Sequence, residues 1–105
     1  MPQYDVYVNP QRASRAFVPY VLDVQSNLID SLSTRLVMPL SRIGAAQRHL
    51  PVNLCPIVLV EDEKLTIQPH LAAPVAASAL KIPVLNLQSQ ASEITAALDA
   101  VISGV

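Results

Sequence analysis

Between Tyr20 and Leu40 the chain reads YVLDVQSNLIDSLSTRLVMPL, two alternating stretches on either side of a connector. Tyr20, Leu22 and Val24 alternate with Val21, Asp23 and Gln25, and Leu36, Met38 and Leu40 alternate with Arg35, Val37 and Pro39. This is the period-two signature of β-strands. The connector NLIDSLS is turn-forming except for Leu28-Ile29, an apolar pair placed where water should be. Two readings stand: the pair folds back over the core, or it meets a partner. Pro39 puts the second strand at an edge or a bulge, because proline cannot donate to a ladder.

The flanking segments fill in a small mixed fold. Gln3 to Val8 reads as a strand ended by Asn9-Pro10, and QRASRA then forms a polar loop carrying Arg12 and Arg15. Ser41 to Pro51 is a mixed connector with Arg42, Arg48 and His49. Ile57 to Val60, the acidic run Glu61-Asp62-Glu63-Lys64, and Leu65-Thr66-Ile67 predict a hairpin with an acidic turn. From Leu71 to Leu80 the alanines favour helix, whereas Pro69, Pro74 and Pro83 interrupt a long one. Ile94, Ala97, Leu98, Val101 and Ile102 recur at helical spacing from a start near Ser92, with Ser89 or Ser92 as N-cap. About eleven residues at 1.5 Å each give a helix of roughly 16 Å. Strands followed by one terminal helix predict an α+β domain with a curled antiparallel sheet or barrel.

At 105 residues the chain makes one domain, residues 1–105, in which oligomerisation would add useful burial. Hydrophobic residues make up 51% and charged ones 14%, which excludes disorder and predicts apolar surface facing a partner. The net charge is −1 with no basic run, so direct nucleic-acid binding has no obvious source of phosphate neutralisation. One cysteine excludes an internal disulfide, and no stretch approaches the ~20 apolar residues of a membrane span. The start MPQYDVYV reads as a strand without a signal region, so the expected location is cytoplasmic.

The inventory for chemistry is thin. Cys55 lies between Leu54 and Pro56 at the head of an apolar run and reads as a buried structural thiol, without the cationic neighbours a reactive thiolate needs. His49 and His70 lack ligand spacing for zinc, and Glu61-Asp62-Glu63 lacks the alternating oxygens of a calcium loop. Two glycines, Gly44 and Gly104, exclude a glycine-rich phosphate loop. No enzyme, cofactor or metal is expected. The ending Ile102-Ser103-Gly104-Val105 is apolar where most chains end polar; Gly104 also suits the position just past a helix end.

The block resembles the CcdB family of toxins, the toxic halves of bacterial toxin–antitoxin pairs. Asp23-Val24-Gln25-Ser26-Asn27-Leu28-Ile29-Asp30 resembles the family's DVQS-(I/L)ID stretch, and Arg35-Leu36-Val37-Met38-Pro39-Leu40 its R-(L/M)-V-(I/M)-PL. Gln3-Tyr4-Asp5-Val6-Tyr7, Leu54-Cys55-Pro56-Ile57-Val58 and the Ser103-Gly104-Val105 tail add to the match. The resemblance implies an SH3-like barrel with a C-terminal helix, a strand within 71–80, and a homodimer. It implies a non-enzymatic toxin that binds the A subunit of DNA gyrase and traps the cleaved gyrase–DNA complex, neutralised by a CcdA-like antitoxin through its disordered C-terminal segment.

By position, the resemblance puts gyrase contacts at Leu28, Ile29, Asp99, Ile102, Ser103, Gly104 and Val105, and antitoxin contacts at Tyr4, Tyr7, Asp23, Arg35 and Leu65. Core or dimer packing is the other reading of the tyrosines and Leu65, and Arg35 calls for a carboxylate, either Asp23 or one from the antitoxin. Two departures stand out: Ser103 and Leu65 each occupy a place where the family pattern has tryptophan. The alternative is a CcdB-fold protein that has lost gyrase poisoning and only binds antitoxin or regulates its operon.

Overall fold

The computed structural model describes residues 2–29, 31–43 and 55–103. Its seven strands are β1 (Asp5–Val8), β2 (Tyr20–Asp23), β3 (Thr34–Arg42), β4 (Ile57–Val60), β5 (Glu63–Ile67), β6 (Ala73–Ala76) and β7 (Leu85–Asn86), followed by helix α1 (Ala91–Ser103). All pairings are antiparallel in the order β4-β5-β3-β2-β1-β7, with β6 also on β3. The curled sheet nearly closes into an SH3-like barrel with one terminal helix, the α+β class its periodicities predict.

Alternation sorts the side chains onto two faces. Val6, Leu22, Met38, Leu40, Val58, Val60, Leu65 and Ile67 point inward and form the main core with Tyr4, Leu87 and Ile94 of α1. The opposite face of β1, β2 and β3 is buried as well, with Tyr7, Val21 and Val37 under Leu80 and Val75. Strands covered on both sides explain how so short a chain packs so many apolar residues.

The long strand β3 is central, not an edge, which corrects the expectation drawn from Pro39. It pairs with β2 along one side; on the other it meets β6 at Thr34–Val37 and β5 at Leu40–Arg42. Pro39 sits at the changeover between these two partners. The bond from Val24 N to Leu36 O makes Val21↔Pro39 a non-hydrogen-bonded pair by alternation, so the proline nitrogen faces away from β2. Its missing N–H therefore removes no bond to β2, and on the other side Pro39 O still accepts from Gln68 N at 3.1 Å.

The predicted hairpin forms, with Glu61 and Asp62 as a two-residue turn at φ 50° and 66°. Both lie in the left-handed region that a type I′ turn requires. Strand structure in 71–80 is confined to β6, between 3₁₀ turns at Pro69–Leu71 and Ala77–Ala79. The helix runs for 13 residues, about 20 Å rather than roughly 16 Å. It begins at Ala91, straight out of a 3₁₀ turn over Gln88–Gln90, so Ser92 lies inside it and Ser89 inside the turn that leads in. Ile94 and Ala97 are buried, whereas Val101 and Ile102 at the far end are exposed. The apolar stripe continues past the point where the core stops.

Candidate functional site

The connector between β2 and β3 folds as a 3₁₀ turn over Asn27–Ile29. Ser26 Oγ accepts from Leu28 N at 3.1 Å, and Asn27 Oδ1 accepts from Gln3 N at 3.1 Å, which ties the turn to the chain's first residues. Leu28 is 95% exposed, so at this residue the apolar pair does not fold back over the core. The backbone of Ile29 continues the turn; its side chain lies outside what is described. Hydrogen bonds hold the turn and leave its leucine in water, an arrangement suited to contact with another molecule.

At the other end of the chain, Ile102 is 76% exposed on the last turn of α1. Ser103 Oγ donates to Asp99 O at 2.6 Å, folding its hydroxyl back onto its own helix. Gly104 and Val105 lie outside the described residues, as do Asp30 of the motif, Gly44, His49 and Leu54. Tyr4 links the end of β2 to the early turns of α1: its backbone N donates to Asp23 O, its carbonyl accepts from Leu87 N, and its hydroxyl lies 3.4 Å from Thr95 Oγ1 on α1. Its φ of 72° is uncommon for a bulky residue and is sustained by these flanking bonds.

The five positions read as antitoxin contacts are all buried. Tyr4 and Leu65 belong to the main core, and Tyr7 to the smaller cluster on the opposite face. Arg35 and Asp23 have no side-chain exposure and form an ion pair, with Arg35 Nε donating to Asp23 Oδ2 at 2.8 Å. The carboxylate that Arg35 calls for is thus internal. Asp23 Oδ1 also accepts from Gln25 N, and Gln25 Oε1 accepts from Leu36 N, so one polar knot fixes the start of the connector.

Asp5 joins this knot. Its Oδ2 accepts from the Tyr7 hydroxyl at 3.4 Å, and its Oδ1 accepts from Asn86 Nδ2 at 2.9 Å. Burial, then the negative charges of Asp5 and Asp23, push the Tyr7 phenol up to about 12, with Arg35 pulling the other way. The phenol stays a neutral donor, useful for bracing the sheet. Cys55 is buried, and its burial raises the thiol pKa, the direction of an inert thiol. Among the described residues no cluster of three or more His, Cys, Asp or Glu side chains could hold a metal ion, and no helix is long and apolar enough to cross a membrane.

One organising residue escapes a reading by pattern. Asn9, taken as a strand terminator, is buried: its Nδ2 donates to Ser14 Oγ and Val18 O, its Oδ1 accepts from Gln11 N, and its carbonyl accepts from Arg15 Nε. Asparagine before proline was the available signal, since such side chains fold local turns.

No curated protein sequence matches the chain at a significant level. One family profile does, that of the CcdB protein, over residues 3–104. That match covers nearly the whole length, and the chain belongs to the CcdB family.

Proposed function

We propose that this protein is a toxin that binds the A subunit of DNA gyrase, traps the cleaved gyrase–DNA complex, and is neutralised by a CcdA-like antitoxin. Membership of the CcdB family supports the coarser part, a toxin of a toxin–antitoxin pair and not a classical enzyme. The observation that carries the gyrase reading is the exposure of Leu28 at the turn and Ile102 at the helix end, two positions that match the family's gyrase-contacting face. Binding the cleaved state better than the closed one would shift gyrase toward cleavage without any chemistry by the toxin. The protein acts in this reading as a cytoplasmic homodimer, and its exposed apolar residues are compatible with a second copy.

Leu28, Ile29, Asp99, Ile102, Ser103, Gly104 and Val105 make the gyrase contact. Tyr4, Tyr7, Asp23, Arg35 and Leu65 serve antitoxin recognition from beneath, by holding the sheet that the antitoxin segment covers. The test incubates the protein with gyrase, ATP and supercoiled plasmid, denatures, and scores linear DNA. Linear product in proportion to toxin, lost in Leu28→Asp and Gly104→Glu variants that remain folded, is the expected outcome. No linear product from a folded protein overturns the gyrase reading.

The second reading, a CcdB-fold protein without gyrase poisoning, is favoured by the serine hydroxyl bonded back to Asp99 O where the family pattern has an aromatic anchor. An aromatic hot spot is commonly worth ≥2 kcal/mol, roughly thirtyfold in affinity. It predicts antitoxin binding with no linear DNA.

A further inference from the structure

A hollow of about 440 Å³ opens between the loop after β1 and the segment before β7, lined by Val8, Pro10, Arg15, Ala79, Lys81 and Ile82. Its apolar part is solvent-facing: Val8 is half exposed and Ile82 is 80% exposed. Arg15 and Lys81 line it, and among the described residues no carboxylate does. Neither Arg15 nor Lys81 is in an ion pair among the described residues, where Arg35 pairs with Asp23 and Arg42 with Glu63.

The rim is built in advance. Asn9 O accepts from Arg15 Nε at 2.6 Å, which orients the guanidinium while leaving its terminal nitrogens available. Arg42 donates to the carbonyls of Arg15 and Ala16, and the Asn9 side chain ties Gln11, Ser14 and Val18. A cation held by its own loop loses little freedom when it meets an anion, which favours recognition.

We propose that this hollow docks an acidic, apolar peptide segment of a partner protein. Carboxylates meet Arg15 and Lys81, and an apolar side chain between them packs on Val8 and Ile82. Two cations alone would suit any polyanion; the apolar floor selects a peptide over a phosphate backbone, and the unpaired charge selects an acidic one. The surface is separate from the turn and helix end assigned to gyrase and from the buried positions assigned to antitoxin.

The test titrates the full isotope-labelled chain with a short peptide alternating glutamate and leucine, with its lysine–leucine counterpart, and with a DNA duplex, following backbone amide signals. The glutamate–leucine peptide alone should shift Val8, Arg15, Lys81 and Ile82. Its affinity should fall about tenfold or more in R15E/K81E and weaken with added salt, as expected when two attractions become repulsions. Because the Ile82 side chain is largely in water, Ile82→Ser keeps the fold and should also weaken the peptide. Unchanged affinity in these folded variants, shifts elsewhere on the surface, or stronger binding of the duplex at the same residues would overturn the proposal.

Discussion

Replacing Arg35 by methionine tests the buried ion pair in the way most diagnostic of this fold. Both partners have no side-chain exposure, so the substitution leaves the Asp23 carboxylate charged, buried and without its 2.8 Å donor. Breaking such a pair from one side costs about 3–5 kcal/mol, a large share of the ~5–15 kcal/mol that holds a domain together. With a urea m-value of about 1–3 kcal/mol per M, the unfolding midpoint should drop by about 2 M, read by circular dichroism. The D23L/R35M double variant removes both charges at once and should recover much of the loss, since an apolar pair of similar bulk is often neutral against a buried ion pair. Costs that simply add, or a single substitution within about 1 kcal/mol of the parent, would refute the reasoning. The same experiment separates two roles of Arg35: if antitoxin binding falls only as far as the folded fraction falls, the residue is a brace and not a contact.

Three further outcomes follow from local geometry. The Tyr7 phenol is raised from 10.0 to about 12, so between these values the unfolded chain loses its proton while the folded one keeps it. That stability is fully present below pH 10 and is lost as pH rises toward 12, by about 3 kcal/mol; Tyr7→Phe should flatten this part of a pH–stability curve. Replacing Glu61-Asp62 by Asn-Gly should raise the unfolding free energy, read by urea denaturation, by about 1 kcal/mol or somewhat more, because both positions hold positive φ that asparagine and glycine adopt more readily. Cys55 should react with a thiol reagent only as fast as the chain unfolds, and a stoichiometric fast reaction in the native protein would contradict its burial.

The parts legible in the sequence were those where one local pattern matched one tertiary environment. Leu22 and Met38 alternate because one side of β2 and β3 lies in the main core, and the acidic run marks a turn because charges there stay in water. Pro39 misled because its meaning depends on which strands flank it, and the partner change from β6 to β5 is set by residues far along the chain. Alanine and proline between Leu71 and Leu80 carry little periodic signal, so a four-residue strand between two 3₁₀ turns left no trace in the pattern. At the site, the exposure of Leu28 follows from hydrogen bonds by Gln3 and Ser26 that no spacing rule anticipates. Asp5 and Asn9 read as ordinary strand and loop polars, yet both are buried, because long-range partners satisfy the one and an ordered loop the other.

Asp5 pairs with Asn86, which places β7, the last strand, at the edge of the sheet beside β1. A ribosome adding about 5–20 residues per second needs roughly 4–16 s to travel from one to the other. Until then Val6 has no β7 neighbour, and the core lacks Leu87 and Ile94. The sheet can therefore be completed only after Asn86 has been made. Earlier, the half-made chain exposes its inner strands and has no finished helix end to present to a target. A toxin of a toxin–antitoxin pair assembled in this way would lack its finished fold until β7 and α1 have been made, and its antitoxin has that interval to arrive.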